Sequence, residues 1–278
     1  MTLTLLVDGD INIYQACAVS EKEVVWDEEI TTIWSYINEV TSIIKADFDC
    51  LMRDFDADNL VIALSDTNRG RIFRRDLWSD YKQNRKHTRK PLNYWLAVEW
   101  VKENYKTYER PNLEGDDVLG ILATSSKIIT GEKIVVSLDK DMKTVPCNYY
   151  RGGPVDDIYE VSESDADWWH MLQTLTGDTT DGYPGCPDIG DTSARKLLDD
   201  PRRLESYEHV FKSGPRKGTS EERWREGESC DVWTAIVDRY EKAGLTEEDA
   251  LVQARCARIL RNTDYDFKKK EVRLWSPH

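Results

Sequence analysis

The chain has 278 residues, and 38 Lys and Arg against 52 Asp and Glu give a formal net charge of −14. A hydrophobic fraction of 40% suffices for a sizeable core and excludes a disordered chain. Apolar runs have only the length of strands, no signal-peptide pattern opens the chain, and the six cysteines are scattered. These features predict a cytoplasmic protein without a membrane span, disulfides or zinc. Taken alone, the net charge argues against a nucleic-acid partner.

The predicted elements alternate between strands and helices over the first two thirds of the chain. Strand-like apolar runs occupy 3–7, 60–64 and 134–138. Helical periodicity occupies 30–51, 94–105 and 118–127. Strands separated by helices predict a three-layer α/β/α fold with a mostly parallel central sheet.

The pattern changes after about residue 162. Helices are predicted over 165–175 and 192–198, with a Gly/Pro-rich loop between them and a helical, polar remainder up to residue 278. We therefore expect an α/β core over 1–162 and a helical part over 163–278, packed together as one unit.

Acidic residues follow each predicted strand. Asp8, Asp66, Asp139 and Asp141 should converge, because the carboxyl ends of parallel strands meet at one edge of the sheet. More acids open the helix after Asn112 or stand in the Gly/Pro-rich loop. The full set is Asp8, Asp66, Glu114, Asp116, Asp117, Asp139, Asp141, Asp178 and Asp181.

Converging carboxylates repel one another and are stabilised by cations, and all-oxygen ligand sets suit Mg²⁺ or Mn²⁺. Nine acids exceed the needs of one ion, so two or more ions are expected. A site of two metals hydrolyses phosphodiesters by holding the attacking and leaving oxygens in line. Each acid has an ordinary explanation as a turn or helix-capping residue. Their common position at one sheet edge favours the metal site.

Basic residues concentrate in one segment, 69–90, which holds nine Lys or Arg and two acids together with Trp78 and Tyr81. Phosphate neutralisation combined with aromatic stacking is typical of sites for nucleic-acid ends. The loop 177–190 carries four glycines, which allow close approach of a phosphate, and Arg195 and Lys196 follow on the next helix.

Six segments occur in a fixed order along the chain: LLVDGD (5–10), LVIALSD (60–66), SDYKQNR (79–85), LEGDDVLG (113–120), VVSLDKD (135–141) and GDTTDGYPGCPDIGDTSARKLL (177–198). Together they resemble the metal-dependent 5′ nucleases, the family of flap endonucleases and of the 5′ nuclease domain of bacterial DNA polymerase. Within that family the chain is similar to the compact 5′→3′ exonucleases of podovirus-type bacteriophages.

The resemblance implies that all nine acids bind metal, with Asp8, Asp66, Asp116 and Asp139 counted as catalytic beside Lys82 and Arg85. Tyr81, Lys82 and Arg85 would begin a helical gateway for the 5′ strand, in which Lys82 contacts the scissile phosphate and Arg85 supports it. The segment 182–190 would be a helix–three-turn–helix motif that grips the duplex and often holds K⁺. The implied DNA-binding residues are Arg69, Arg71, Arg74, Arg75, Tyr81, Lys82, Arg85, Lys86, Gly182, Gly185, Gly190, Arg195 and Lys196.

The implied activity is Mg²⁺-dependent hydrolysis of duplex DNA from a 5′ end or flap, and of RNA primers in RNA–DNA hybrids. The resemblance also implies a monomer that acts in phage DNA replication and host DNA degradation. Two departures from the family stand out. The short stretch between Arg85 and Asn112 predicts a reduced arch, and 191–193 lacks the Pro-Lys-Thr type of sequence common in relatives. We find no sliding-clamp motif.

Two other classes remain open from the residues alone. Asp8-Gly9-Asp10 and Gly115-Asp116-Asp117 resemble the paired aspartates of haloacid-dehalogenase-type phosphatases, in which Asp8 would be the nucleophile. That class gives no role to Asp139 or to the basic segment. A DNA-binding module without cleavage is the second alternative, but unneutralised carboxylates would then cost stability.

Overall fold

The computed structural model describes residues 2–27, 30–67, 71–85 and 88–277. The chain divides into two compact units. The first, which we call the sheet unit, comprises 1–76, 85–167 and 259–273. The second, which we call the hairpin unit, comprises 77–84, 168–258 and 274–278.

The sheet unit is built on one central sheet with the strand order β5-β4-β1-β6-β7-β8. All neighbouring pairs run parallel except β7 and β8, which are antiparallel. Its strands are β1 (Leu3–Asp8), β4 (Asn59–Leu64), β5 (Thr107–Glu109), β6 (Glu132–Val136), β7 (Cys147–Tyr150) and β8 (Ile158–Val161). The three predicted strands are confirmed as the adjacent central strands β4, β1 and β6.

Helices and a small hairpin connect these strands. The helices are α1 (Gly9–Ser20), α2 (Ile37–Asp54), α3 (Arg74–Leu77), α4 (Tyr94–Asn104) and α5 (Gly115–Thr124), with a short 3₁₀ turn at Lys140–Thr144. The hairpin pairs β2 (Lys22–Val25) with β3 (Thr31–Trp34). The prediction of a helix from residue 30 is therefore wrong up to residue 36. Ile30, Ile33 and Trp34 share the spacing of the helix that follows, but they precede it in the hairpin and its loop.

Two apolar clusters cover the two faces of the sheet. One contains Leu5, Ile62 and Ile134 from the strands with residues of α1, α2 and α4. The other contains Leu6, Val61 and Val135 with residues of α5. Successive residues of each strand thus serve opposite faces. The predicted α/β/α layering is confirmed.

The hairpin unit combines helices with a long β-hairpin. Its helices are α6 (Glu163–Thr176, of which 163–167 belong to the sheet unit), α7 (Asp191–Asp199), α8 (Val232–Lys242) and α9 (Glu247–Ala257). Leu175, Leu197 and Ile236 share a core with α9 residues. The strands β9 (Arg202–Val210) and β10 (Ser220–Ser229) are antiparallel. The prediction of a purely helical remainder is therefore wrong over 202–229.

Residues 259–273 return to the sheet unit. Backbone N–H groups of Leu260 and Asn262 donate to Asp117 Oδ1 at 3.2 Å and to Thr124 Oγ1 at 2.8 Å. A short hairpin of β11 (Tyr265–Asp266) and β12 (Glu271–Val272) follows. Within the described residues, no helix is long and apolar enough to cross a membrane. A single division near 162 therefore does not describe the path of the chain, because 259–273 packs on α5.

Candidate active site

Asp8 is buried where β1 ends and α1 begins. One carboxylate oxygen accepts a hydrogen bond from the Ile11 backbone N–H at 3.1 Å, and the other accepts from Ser137 Oγ at 2.9 Å. Burial, helped by the negative charges of Asp10 and Asp139, raises the pKa of Asp8 to about 7. A nearby cation would stabilise the ionised form of a carboxylate that is buried beside like charges.

Gly9 explains why the turn after β1 is so tight. A Cβ at this position would lie 2.5 Å from Ile62 Cγ2 and 2.9 Å from the Ala63 carbonyl oxygen. The start of α1 therefore packs directly on β4, and only glycine fits there. This close packing places Asp8 and Asp10 beside the carboxyl end of β4.

Asp10 belongs to the same edge, although the sequence analysis gave it no metal role. Its Oδ2 accepts hydrogen bonds from both the backbone N–H and the hydroxyl of Ser65, and its Oδ1 accepts from Tyr94 Oη at 2.9 Å. Ser65 Oγ in turn accepts from the Gly115 N–H at 2.9 Å. The network ties the ends of β1 and β4 to the start of α5. The sequence signal that could have identified Asp10 is its position two residues after the end of β1.

Asp139 lies next to Asp8 through a shared partner. Ser137 Oγ, which donates to Asp8, accepts from the Asp139 backbone N–H at 3.1 Å. Asp139 Oδ1 caps the following 3₁₀ turn by accepting from the Asp141 N–H at 2.9 Å. Tyr149 Oη fixes the segment by donating to the Asp139 carbonyl at 2.6 Å. The structure thus brings the first and third predicted strand ends together.

Asp66 is held against the segment that leads into α5. Its backbone N–H donates to the Leu113 carbonyl at 3.0 Å, and its Oδ2 accepts from the Asn112 N–H at 2.8 Å. Asp116 is half-buried in the first turn of α5. Asp66 follows Ser65 and Asp116 follows Gly115 in the sequence. Both acids therefore adjoin the hydrogen-bond network that links Asp10, Ser65 and Gly115.

Glu114 and Asp117 are engaged by a buried arginine. Arg74, with 3% of its surface exposed, donates to both Asp117 oxygens at 2.7 Å and to Glu114 Oε2 at 3.0 Å. Asp117 has no exposed surface and also accepts from the Leu260 N–H. This geometry corrects two assignments. Arg74 is a buried ion-pair partner, not a surface for DNA, and Asp117 has its charge neutralised within the protein.

Asp178, Asp181 and Lys82 lie in the hairpin unit. Asp178 Oδ1 accepts from the backbone N–H groups of Thr180 and Asp181 at 2.7 and 3.2 Å, which closes the turn after α6. Asp181 Oδ2 lies 3.3 Å from Lys82 Nζ and accepts from Tyr81 Oη at 3.0 Å. Asp181 thus holds Lys82 in place. Tyr81 is 2% exposed, so its ring packs inside the unit instead of presenting a stacking surface.

The loop between α6 and α7 is fixed by glycines packed against each other. A Cβ on Gly185 would lie 2.3 Å from the Gly177 nitrogen, and both residues have positive φ. Gly182 also has positive φ, and its carbonyl accepts from Trp78 Nε1 at 2.9 Å. Gly190 begins α7 with open space around its Cα. The loop conformation therefore requires glycine at 177, 182 and 185, whereas Gly190 is not constrained in this way.

Side chains of α7 and of the basic segment have different surroundings. Arg195 pairs with Asp191 at 2.7 Å and lies 5.2 Å from the Trp168 ring centroid, whereas Lys196 is exposed. Arg71 and Arg85 are exposed and Arg75 is half-buried. Arg69 and Lys86 fall outside the described residues. The described part of 71–93 contains the four-residue α3 and a 3₁₀ turn at Gln83–Arg85.

The donors at the sheet edge are hard oxygens, which is the chemistry that Mg²⁺ and Mn²⁺ select. Among the described side chains, however, no three Asp, Glu, His or Cys converge closely enough to form a coordination sphere. Asp8, Asp10 and Asp139 thus supply the negative charge and the donor type for a cation at this edge without forming a complete coordination sphere.

Comparison with known proteins identifies the family of the chain. Residues 3–150 match the model of the 5′-3′ exonuclease N-terminal resolvase-like domain. The exodeoxyribonuclease of Enterobacteria phage T3 is 34% identical over 98% of this chain and 92% of its own length. The exonuclease of Escherichia phage T7 is 35% identical over 98% of this chain and 93% of its own length.

A solved structure shares the fold. The T5 5′-exonuclease with bound zinc ions superposes with a TM-score of 0.51 over 71% of this chain and 74% of that chain, at 16% identity. The predicted resemblance is confirmed. The chain belongs to the 5′-3′ exonuclease family and is a hydrolytic nuclease.

Proposed function

We propose that the protein removes nucleotides from 5′ ends of duplex DNA in a reaction that depends on Mg²⁺. The observation that carries the proposal is the buried Asp8 carboxylate, whose pKa is raised to about 7 beside Asp10 and Asp139 at the carboxyl edge of the parallel sheet. Relatives named exonuclease and exodeoxyribonuclease, together with the metal-bound T5 enzyme, support the same chemistry.

In this proposal Asp8, Asp10, Asp66, Asp116 and Asp139 hold the cations. Bound divalent ions supply Lewis-acid chemistry at the phosphodiester. Ser137 fixes the orientation of Asp8 and the start of the Asp139 turn through its two hydrogen bonds. The hydrogen bond from Ser137 limits the rotamers of the Asp8 carboxylate, and the hydrogen bond from the Asp141 N–H does the same for Asp139, before any ion arrives.

The remaining ligands and DNA contacts are assigned as follows. Asp141 follows Asp139 within the same turn and is half-buried, so it completes the ligand set at that strand end. Lys82, already oriented by Asp181, binds the phosphate, and Arg195 and Lys196 bind the duplex backbone near the start of α7. Glu114 and Asp117 take a supporting role, because both form ion pairs with Arg74.

The test uses one duplex labelled at either the 5′ or the 3′ end, with and without a 5′ flap, incubated in Mg²⁺ or EDTA. A 5′ label should appear in short products from the first time point, while a 3′ label should shorten progressively. Asp139→Asn should abolish cleavage and retain DNA binding, and Asp157→Asn, an exposed carboxylate of the same unit, is the control. Cleavage at wild-type rate in Asp139→Asn contradicts the site.

The same assay separates substrates and rival activities. We propose that RNA primers in RNA–DNA hybrids are also cut, and a 5′-labelled hybrid run in parallel tests this. Faster hydrolysis of an aryl phosphate than of DNA would support the phosphatase alternative. Binding of duplex without cleavage in Mg²⁺ would support a non-cleaving module.

A further inference from the structure

The long hairpin of β9 and β10 has no role in the site described above. Its strands pair from Arg202 opposite Ser229 up to Val210 opposite Ser220. At about 3.3 Å per residue, such a ribbon extends roughly 30 Å. Its base is anchored to α8, since Leu204 N–H donates to Asp238 Oδ2 at 2.7 Å and Arg203 pairs with the same carboxylate at 3.0 Å.

The tip of this hairpin concentrates positive charge in an acidic protein. The tip segment 211–219 contains Lys212, Arg216 and Lys217 and no Asp or Glu, although the chain has a net charge of −14. Lys212 and Lys217 are exposed, and neither forms an ion pair within the described part of the chain. Two unpaired ammonium groups at the end of a projecting ribbon favour a polyanion as the partner.

One face of the ribbon presents arginines over aromatic rings. The Arg216 guanidinium lies 4.0 Å from the Phe211 ring centroid, and Arg223 lies 5.4 Å from the same ring. Arg225 lies 5.5 Å from the ring of Tyr207. These arginines retain 41% to 65% of their side-chain exposure, although each forms an ion pair, Arg216 and Arg223 with Glu221 and Arg225 with Glu205. Stacking restricts their conformations, so less entropy is lost when they bind phosphate.

The opposite face of the ribbon is acidic. Glu208 stands directly across from Glu222, and Glu226 follows four pairs later toward the base, opposite Leu204. Like charges in a cross-strand pair are unfavourable for the hairpin itself. Their effect on a polyanion is orientation, because DNA is repelled from this face, whereas on the arginine face Glu205 and Glu221 balance Arg223 and Arg225, and the tip carries the net positive charge.

We propose that the β9–β10 hairpin is a second duplex-binding element that contacts the phosphate backbone through Lys212, Lys217 and the arginine face. The inference rests on the proposed function, which supplies DNA as the ligand. A two-stranded ribbon has dimensions that a DNA groove admits. Duplex is favoured over single strands because guanidinium groups cover the Phe211 and Tyr207 rings, which leaves charge and not open ring faces for contact.

The test compares two variants with the same change in net charge. Lys212→Glu/Lys217→Glu alters the tip, and Lys268→Glu/Lys269→Glu alters an exposed basic run in the sheet unit. Binding of a labelled 30-base-pair duplex is measured by fluorescence anisotropy in Ca²⁺ in place of Mg²⁺, with salt varied from ~50 to ~200 mM. The tip variant should bind about tenfold more weakly and lose about two units of salt slope. The control should stay within about twofold of wild type.

A second variant, in which 212–217 is replaced by Asn-Gly, removes the charged tip while keeping a turn that favours hairpins. Circular dichroism and thermal melting establish that both variants fold. Equal duplex affinity of wild type and both tip variants overturns the inference, as does an equal loss in the Lys268/Lys269 control. A wild type that neither binds nor cuts duplex overturns the proposed function itself, whereas normal cutting with unchanged binding in the tip variants refutes only the hairpin role.

Discussion

Asp8→Asn should stabilise the metal-free protein while abolishing cleavage. The pKa of Asp8 is raised from 3.8 to about 7, chiefly by burial, so above neutral pH the folded state holds a carboxylate that is costly to ionise. An amide has the same shape and no charge. It can accept from the Ile11 N–H and donate to Ser137 Oγ, which replaces both hydrogen bonds of the carboxylate.

The size of the stabilisation by Asp8→Asn follows from the pKa shift of Asp8. Roughly three pKa units correspond to about 4 kcal/mol at a pH above both values, and this is an upper bound for the gain at pH 8. Well below pH 3.8 Asp8 is protonated in both the folded and the unfolded state, so the gain should vanish there and be small at pH 4. Between the unfolded-state pKa and the folded-state pKa of Asp8, the gain in stability should grow as pH rises. At about 2–4 °C per kcal/mol, a gain of even 2 kcal/mol raises Tm by several degrees.

The assay is thermal or urea unfolding of wild type and Asp8→Asn in EDTA at pH 4, 6 and 8, with Asp157→Asn as the matched exposed control. Adding Mg²⁺ should stabilise wild type and reduce the difference, because ligands that bind only the folded state raise its stability. Equal stability of wild type and Asp8→Asn at pH 8 would refute the electrostatic argument. A gain of the same size at pH 4 would assign the effect to packing.

Three further outcomes test other parts of the structure. Arg74→Met should lower the free energy of unfolding by about 3–5 kcal/mol in urea titrations, because it leaves the buried Asp117 unpaired; a loss below 1 kcal/mol would contradict the ion-pair geometry. Lys82→Met should slow single-turnover cleavage more than it weakens duplex binding, and a pure affinity loss would make Lys82 a positioning contact only. Arg195→Ala and Lys196→Ala should each reduce the salt slope of binding by about one unit, measured by anisotropy.

The central sheet could be predicted because its strands are buried on both faces. Runs such as 60–64 are continuously apolar, and the acids that follow them mark the carboxyl edge. Neither signal depends on distant parts of the chain. The position of Asp8 and Asp139 at one edge therefore followed from strand order alone, while their shared partner Ser137 required the structure.

The two hairpins were missed for different physical reasons. At 30–34 the apolar residues continue the spacing of α2, so periodicity could not place the break before Ile37. Over 202–229 the strands are stabilised by cross-strand charge pairs such as Arg225 with Glu205 at 3.2 Å, with little apolar alternation. A polar, charged sequence resembles a solvated helix until its pairing partner is known.

The role of Arg74 shows a third limit. Within a run of basic residues, nothing local distinguishes an arginine that contacts solvent or DNA from one that is buried. Its burial is decided by Glu114 and Asp117, which are 40 and 43 positions away. Charge counts therefore overstate both the DNA-binding surface and the number of acids that remain for metal.

The acidic residues of this protein differ in whether a basic side chain lies beside them. Arg74 compensates the acids at the start of α5 from within the fold, and Lys82 lies beside Asp181. Asp8 has Asp10 and Asp139 as its charged neighbours, and its raised pKa measures the cost. A divalent cation at this edge would relieve that cost, so metal affinity and fold stability are expected to depend on the same carboxylates. The carboxylates that destabilise this edge without metal are thus the ones best suited to bind a cation. The net charge of −14 argues against nucleic-acid binding only at surfaces that lack a basic cluster.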